Sequence, residues 1–141
     1  MTADPPWWRM SLSGSELARI TREGDDLVLA FAVAQVQPAT PPRLGQGDDT
    51  AYLAGVVWRL RGATAVGAEP MPEGLWGRLA DSELRVAGEG RARVAFALPG
   101  TVAGPLTLRL CTALGTVWTL QAQGLAVVPP DAGVPRPSLA C

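Results

Sequence analysis

The sequence predicts a mostly β domain, an antiparallel β-sandwich or small β-barrel of about 7–9 strands, on three observations. Short apolar runs alternate with a period of two. Gly- and Pro-containing turn signals separate them at near-regular spacing. One tryptophan-centred pattern occurs twice.

The 141 residues fit one domain, and a domain of this size buries roughly 68% of the surface its unfolded chain exposes. Apolar residues are 48% of the chain, so a core forms without disulfides or metals. All 12 basic residues are arginines and the net charge is −1. Codon usage in a GC-rich genome accounts for that bias. Nucleic-acid binding calls for a basic stripe, and these arginines are scattered, so nucleic acid is not the expected partner. Cys111 lies in an apolar stretch and Cys141 in a proline-rich tail, which makes no disulfide framework. The opening MTADPPWWRM does not resemble a signal peptide, and no uninterrupted apolar stretch is long enough to span a membrane. The expected location is a bacterial cytoplasm.

The elements follow in order. Residues 1–14, broken by Pro5 and Pro6, are expected as an irregular N-terminal arm. The single β domain is expected over 15–128, opening with a helical turn or strand at 15–22. A turn at Glu23–Asp26 precedes Leu27–Val36, which reads as a strand with Leu27, Leu29, Phe31 and Val33 on one face. Three prolines and two glycines make 37–50 a loop. In 51–61, Tyr52, Ala54, Val56, Trp58 and Leu60 share one face; 67–74 is another loop. Strands follow at 83–88, at 91–98 with Val94, Phe96 and Leu98 inward, and at 106–114 with Leu106, Leu108 and Leu110 inward. The last two are 116–122, with Trp118 and Leu120 inward, and 125–128. Residues 129–141 are expected as a flexible Pro-rich tail.

Two motifs recur in the same order. Arg19-Ile20, Glu23-Gly24 and Val28 reappear as Arg85-Val86, Glu89-Gly90 and Val94, and Gly55–Leu60 (GVVWRL) as Gly115–Leu120 (GTVWTL). They predict two internally duplicated halves, 15–62 and 82–124, related by a pseudo-two-fold axis, with Trp58 and Trp118 equivalent in the core. Coincidence in a Gly-, Ala-, Val- and Leu-rich chain is the competing explanation.

With no histidine and no lysine, the chain cannot form a Ser-His-Asp or Cys-His pair, an imidazole zinc site, a P-loop or a Schiff base. No catalytic residue, metal site or cofactor is predicted. Asp25-Asp26 and Asp48-Asp49 read as turn residues rather than calcium ligands. Glu16, Glu23, Glu83 and Glu89 suit cross-strand pairs with arginine better than an acid–base pair.

The candidate binding residues are aromatic. Trp7 and Trp8, beside Arg9, either form a lid over an open sheet end or anchor a partner. Trp76, between the two halves, plugs a hinge or lines a mouth. The leading expectation is a non-enzymatic protein-interaction or self-assembly module, with a protein partner or a second copy (a homodimer) and no membrane. The alternative is a small-molecule-binding barrel with an apolar or aromatic ligand in a cavity at Trp58 and Trp118. A carboxylate-only enzyme comes third.

Overall fold

The computed structural model describes residues 8–38, 50–66 and 77–130, with the backbone of 136–137. Among these residues every regular element is a strand: β1 (Trp8–Glu23), β2 (Asp26–Pro38), β3 (Ala51–Leu53), β4 (Val57–Arg61), β5 (Thr64–Ala65), β6 (Gly77–Val86), β7 (Ala95–Leu98), β8 (Gly100–Thr112), β9 (Val117–Val128) and β10 (Arg136–Pro137). The hydrogen-bonded order is β10-β3-β2-β4-β9-β8-β6-β1-β7, and β1 also pairs with β2. That last pairing closes a six-stranded antiparallel barrel, β1-β2-β4-β9-β8-β6. Closure removes the free edges an open sheet would leave along the ring.

The ring consists of two three-stranded meanders, β1-β2-β4 and β6-β8-β9. Each first strand pairs with the other first strand, through Glu16↔Arg78 and Leu17↔Gly77. Each third strand pairs with the other third strand, from Val57↔Val128 to Arg61↔Gly124. The ladder is therefore unchanged when the two meanders are exchanged. Trp58 and Trp118 sit in the third strands. Trp58 lies opposite Leu29 and Trp118 opposite Leu110, while the next inward pairs are Leu60↔Leu27 and Leu120↔Leu108.

β-bulges set which residues face inward. In β1, Met10 and Leu12 are buried, then Ser15 and Leu17. In β6, Leu79 is buried, then Ser82 and Leu84. The odd–even phase reverses in both strands because an odd number of residues is inserted into the ladder, three between Ser11 and Glu16 of β1 and one between Ala80 and Glu83 of β6. The two share one local arrangement. A residue at positive φ, Gly14 (91°) or Asp81 (34°), precedes a buried serine. The Ser15 hydroxyl donates to the Ser11 carbonyl at 2.6 Å and accepts the Gln35 N–H at 2.9 Å. The Ser82 hydroxyl donates to the Ala80 carbonyl at 2.9 Å and accepts the Cys111 N–H at 3.0 Å. In each case the serine satisfies an N–H of the neighbouring strand that the bulge removes from the ladder. Ser15-Glu16-Leu17 and Ser82-Glu83-Leu84 are thus matching bulge motifs.

The core fills the barrel. Trp58 is fully buried and packs edge-on against Phe96 (4.8 Å between ring centroids, 75°) and tilted against Phe31 (5.7 Å, 58°). Its indole N–H points at the Met10 sulfur, 3.3 Å away. β1, β2, β4 and β7 are joined through this one side chain. Leucines from β1, β2, β4, β6, β8 and β9 fill the rest.

Several expectations are corrected. Residues 8–14 are not an irregular arm but the start of β1, where Trp8–Ser11 pair with both β2 and β7. Of the two readings of 15–22, the strand is the one found. The inward face of β2 shifts from Leu27, Leu29 and Phe31 to Ala34 and Val36, opposite the β1 bulge, so Val33 leaves the core. The stretch 51–61 is two strands, because Gly55 turns at φ 86°; Ala51 and Leu53 are inward and Tyr52 is exposed. Residues 91–94 are not continuous strand. Arg93 makes reciprocal backbone bonds with Leu84, and the Val94 carbonyl then accepts from Leu12 as the chain crosses to β1, leaving Val94 57% exposed. β8 continues through Gly104-Pro105, where a break in the ladder accommodates the proline's missing N–H. Strands 116–122 and 125–128 are one strand whose inward phase reverses at Gly124-Leu125. The backbone of Arg136–Pro137, within the expected tail, pairs with β3.

Candidate interaction surface

Among the described residues the most exposed large apolar side chain is Leu114, 96% accessible at the tip of the β8–β9 hairpin. The tip is a tight turn: the Gly115 N–H donates to the Thr112 carbonyl, and Gly115 adopts φ 94°. A short turn with glycine at its left-handed position leaves Leu114 no neighbour to fold onto. Val117 opens β9 on the outward face, opposite Cys111. Val66 lies beside Thr119, two residues further along that face, with its N–H donating to the Thr119 carbonyl. Val66 and Val117 are 47% and 44% exposed. Leu114, Val117 and Val66 therefore form an apolar rim at one end of the barrel. The sequence signal is an outward-phase valine at 117 and a leucine in a Gly turn. The strand reading of 106–114 hid it by counting Leu114 inside a strand.

Of the predicted binding residues, Trp8 is half-buried and packs against the core from the start of β1. Arg9 is exposed on β1. Trp7 and Trp76 lie outside the described residues, as do Cys141 and the Asp48-Asp49 pair. Trp58 and Trp118 line neither of the two grooves below.

At the opposite side of β4, charges clasp the β1–β2 hairpin. Arg59 pairs with Asp26 at 2.9 Å and Glu23 at 3.1 Å. Asp26 also accepts the Gly62 N–H at 3.2 Å. That backbone bond, followed by Arg59, holds the Asp26 carboxyl below its ordinary 3.8. In the second half the Arg93 guanidinium, bonded to Glu89, likewise lowers the Glu89 carboxyl. Asp25-Asp26 is thus a turn with a strand clasp. Among the described residues no cluster of three or more metal-ligating side chains occurs.

Two open grooves flank the Gly104-Pro105 break on the outside of the barrel. One, about 300 Å³, runs between β6, β8 and β9 past Arg85, Thr107 and Gln121. The other, about 340 Å³, runs past Arg59, Arg61 and Thr101, with the Arg61 guanidinium lying over Gly124. Both are shallow and mixed in polarity. No helix among the described residues is long and apolar enough to cross a membrane.

Comparison with protein-family models, curated proteins and solved structures finds no match.

Proposed function

We propose that this chain is a non-enzymatic interaction module that self-associates through the rim formed by Leu114, Val117 and Val66. The observation that carries the proposal is the 96% exposure of Leu114 beside two half-exposed valines. Leaving a leucine and two valines in water forgoes the ~1.5–3 kcal/mol that burying each would supply. A second copy recovers that burial isologously, each rim covering the other, as in most two-fold dimers. The lack of histidine and lysine supports a role without catalysis. A ligand cavity at the tryptophans has less support, because Phe31, Phe96 and Met10 occupy the space around Trp58.

Nuclear magnetic resonance on a dilution series tests this. The methyl resonances of Val66, Leu114 and Val117 are expected to shift with protein concentration while those of Leu29 and Leu60 stay fixed. Concentration-independent spectra for the rim would refute self-association there.

A further inference from the structure

β3 is three residues long, and its outer edge is covered by two, Arg136 and Pro137. Their backbones lie opposite Tyr52 and Ala51. We infer that the β3 edge is a strand acceptor, and that Arg136–Pro137 is a detachable occupant which trades places with the same segment of a second copy.

Three observations support this. The pairing is as short as a strand can be, and Pro137 brings no N–H to it, so few ladder bonds hold it. The chain leaving β9 is fixed nearby, because Pro130 sits against Gly55, where an added Cβ would stand 3.1 Å from the Pro130 Cβ. The segment that reaches β3 is therefore tethered beside it and needs only to be replaced by an identical one. Finally, Tyr52, directly opposite Arg136, keeps 37% of its surface exposed, so the pairing lies at the surface, where a second chain can reach it.

The same pairs form whether the segment comes from its own chain or another. Exchange therefore keeps the contacts and changes only their connectivity, the usual route to a strand-swapped dimer. Tethering gives the chain's own segment an effective concentration of the order of millimolar. The closed form holds in dilute solution, and exchange emerges as chain concentration approaches that value. This interface is separate from the hairpin-tip rim.

The test is a cross-link between opposed positions. Tyr52→Cys and Arg136→Cys are combined with Cys111→Ser and Cys141→Ser, so that no other thiol competes. Leu114→Ser is added so that association at the rim contributes nothing. After oxidation, non-reducing electrophoresis is expected to show cross-linked monomer from dilute protein. From near-millimolar protein the cross-linked dimer is expected to rise several-fold. Cross-linked monomer alone at every concentration would overturn exchange, and no cross-link at all would overturn the β10–β3 pairing itself. Should the substituted chain fail to fold, the unsubstituted full chain is titrated to millimolar concentration against a fluorescein-labelled peptide of residues 129–141. Saturable anisotropy that unlabelled peptide competes away is expected, and a flat signal overturns the proposal.

Discussion

Trp58 and Trp118 stand at matching places in the two meanders, each in the third strand and each opposite a leucine of the second, yet their surroundings differ. Trp58 is sealed between Phe31 and Phe96, and its N–H reaches the Met10 sulfur. Trp118 is 8% exposed, and its buried indole nitrogen has no partner among the described residues. β7, which lies outside the two meanders, brings Phe96 to Trp58 and the first half of β1 brings Met10; among the described residues no corresponding strand covers Trp118. Strand position decides that a side chain points inward. What crosses over it decides its energetic weight.

The largest expected effect is at Trp58. Trp58→Ala should destabilise the fold by about 3–5 kcal/mol, the usual cost of emptying a large aromatic site. Denaturant melts should show Trp118→Ala costing less; equal costs would mean that the cover of β7 and Met10 adds nothing. Next come the bulges. Ser15→Ala and Ser82→Ala each strand a neighbouring-strand N–H, of Gln35 or Cys111, and each should cost about 1–3 kcal/mol. If only one of the pair is destabilising, the two bulges do not play matching parts. A smaller effect is expected from conservative aromatic changes. Trp118→Phe removes an unsatisfied N–H, so it should cost about 1 kcal/mol less than Trp58→Phe in the same melts.

The smallest effect is electrostatic. Asp26 and Glu89 have carboxyl pKa values lowered in the folded state, Asp26 first by the Gly62 N–H and Glu89 by Arg93. A lowered folded value contributes stability above the ordinary value, 3.8 for Asp26 and 4.5 for Glu89. That contribution is lost as pH falls through the folded one. Acid titration of stability should therefore be shallower in Asp26→Asn and in Glu89→Gln, in each case only below those ordinary values. Both sites are open to solvent, so the changes should be slight and should fade in high salt.

Much of the architecture was legible because the inward positions of β8, the start of β9 and β7 keep one phase: Leu106, Leu108 and Leu110, then Trp118 and Leu120, then Phe96 and Leu98. Alternation misleads where a bulge or a glycine turn reverses that phase. It placed Val33 inside and Ala34 outside, and it placed Tyr52 inside, because neither the β1 bulge opposite β2 nor the turn at Gly55 interrupts the run of apolar residues. The bulge signal was present as Ser-Glu-Leu following Gly14 and again following Asp81. The two repeated motifs do not fit one register. Matching the tryptophans sets Leu29 against Leu110, whereas matching the Ser-Glu-Leu segments sets Phe31 against Leu108. The predicted Glu23-Gly24 and Glu89-Gly90 equivalence also separates, since the first closes the β1–β2 hairpin and the second leads away from β6. The exposed rim was missed because Leu114, beside the turn-forming Gly115, was counted as the last residue of a strand.

The proposed self-association rests on a filled interior and an exposed apolar rim at the β8–β9 tip. Light scattering across a concentration series, on the unmodified chain and on Leu114→Ser, tests it most directly. The account predicts that the mass of the unmodified chain rises from 14.7 kDa toward twice that value, while Leu114→Ser, equally stable, stays monomeric at concentrations where the unmodified chain is dimeric. Identical mass profiles for the two proteins would contradict it.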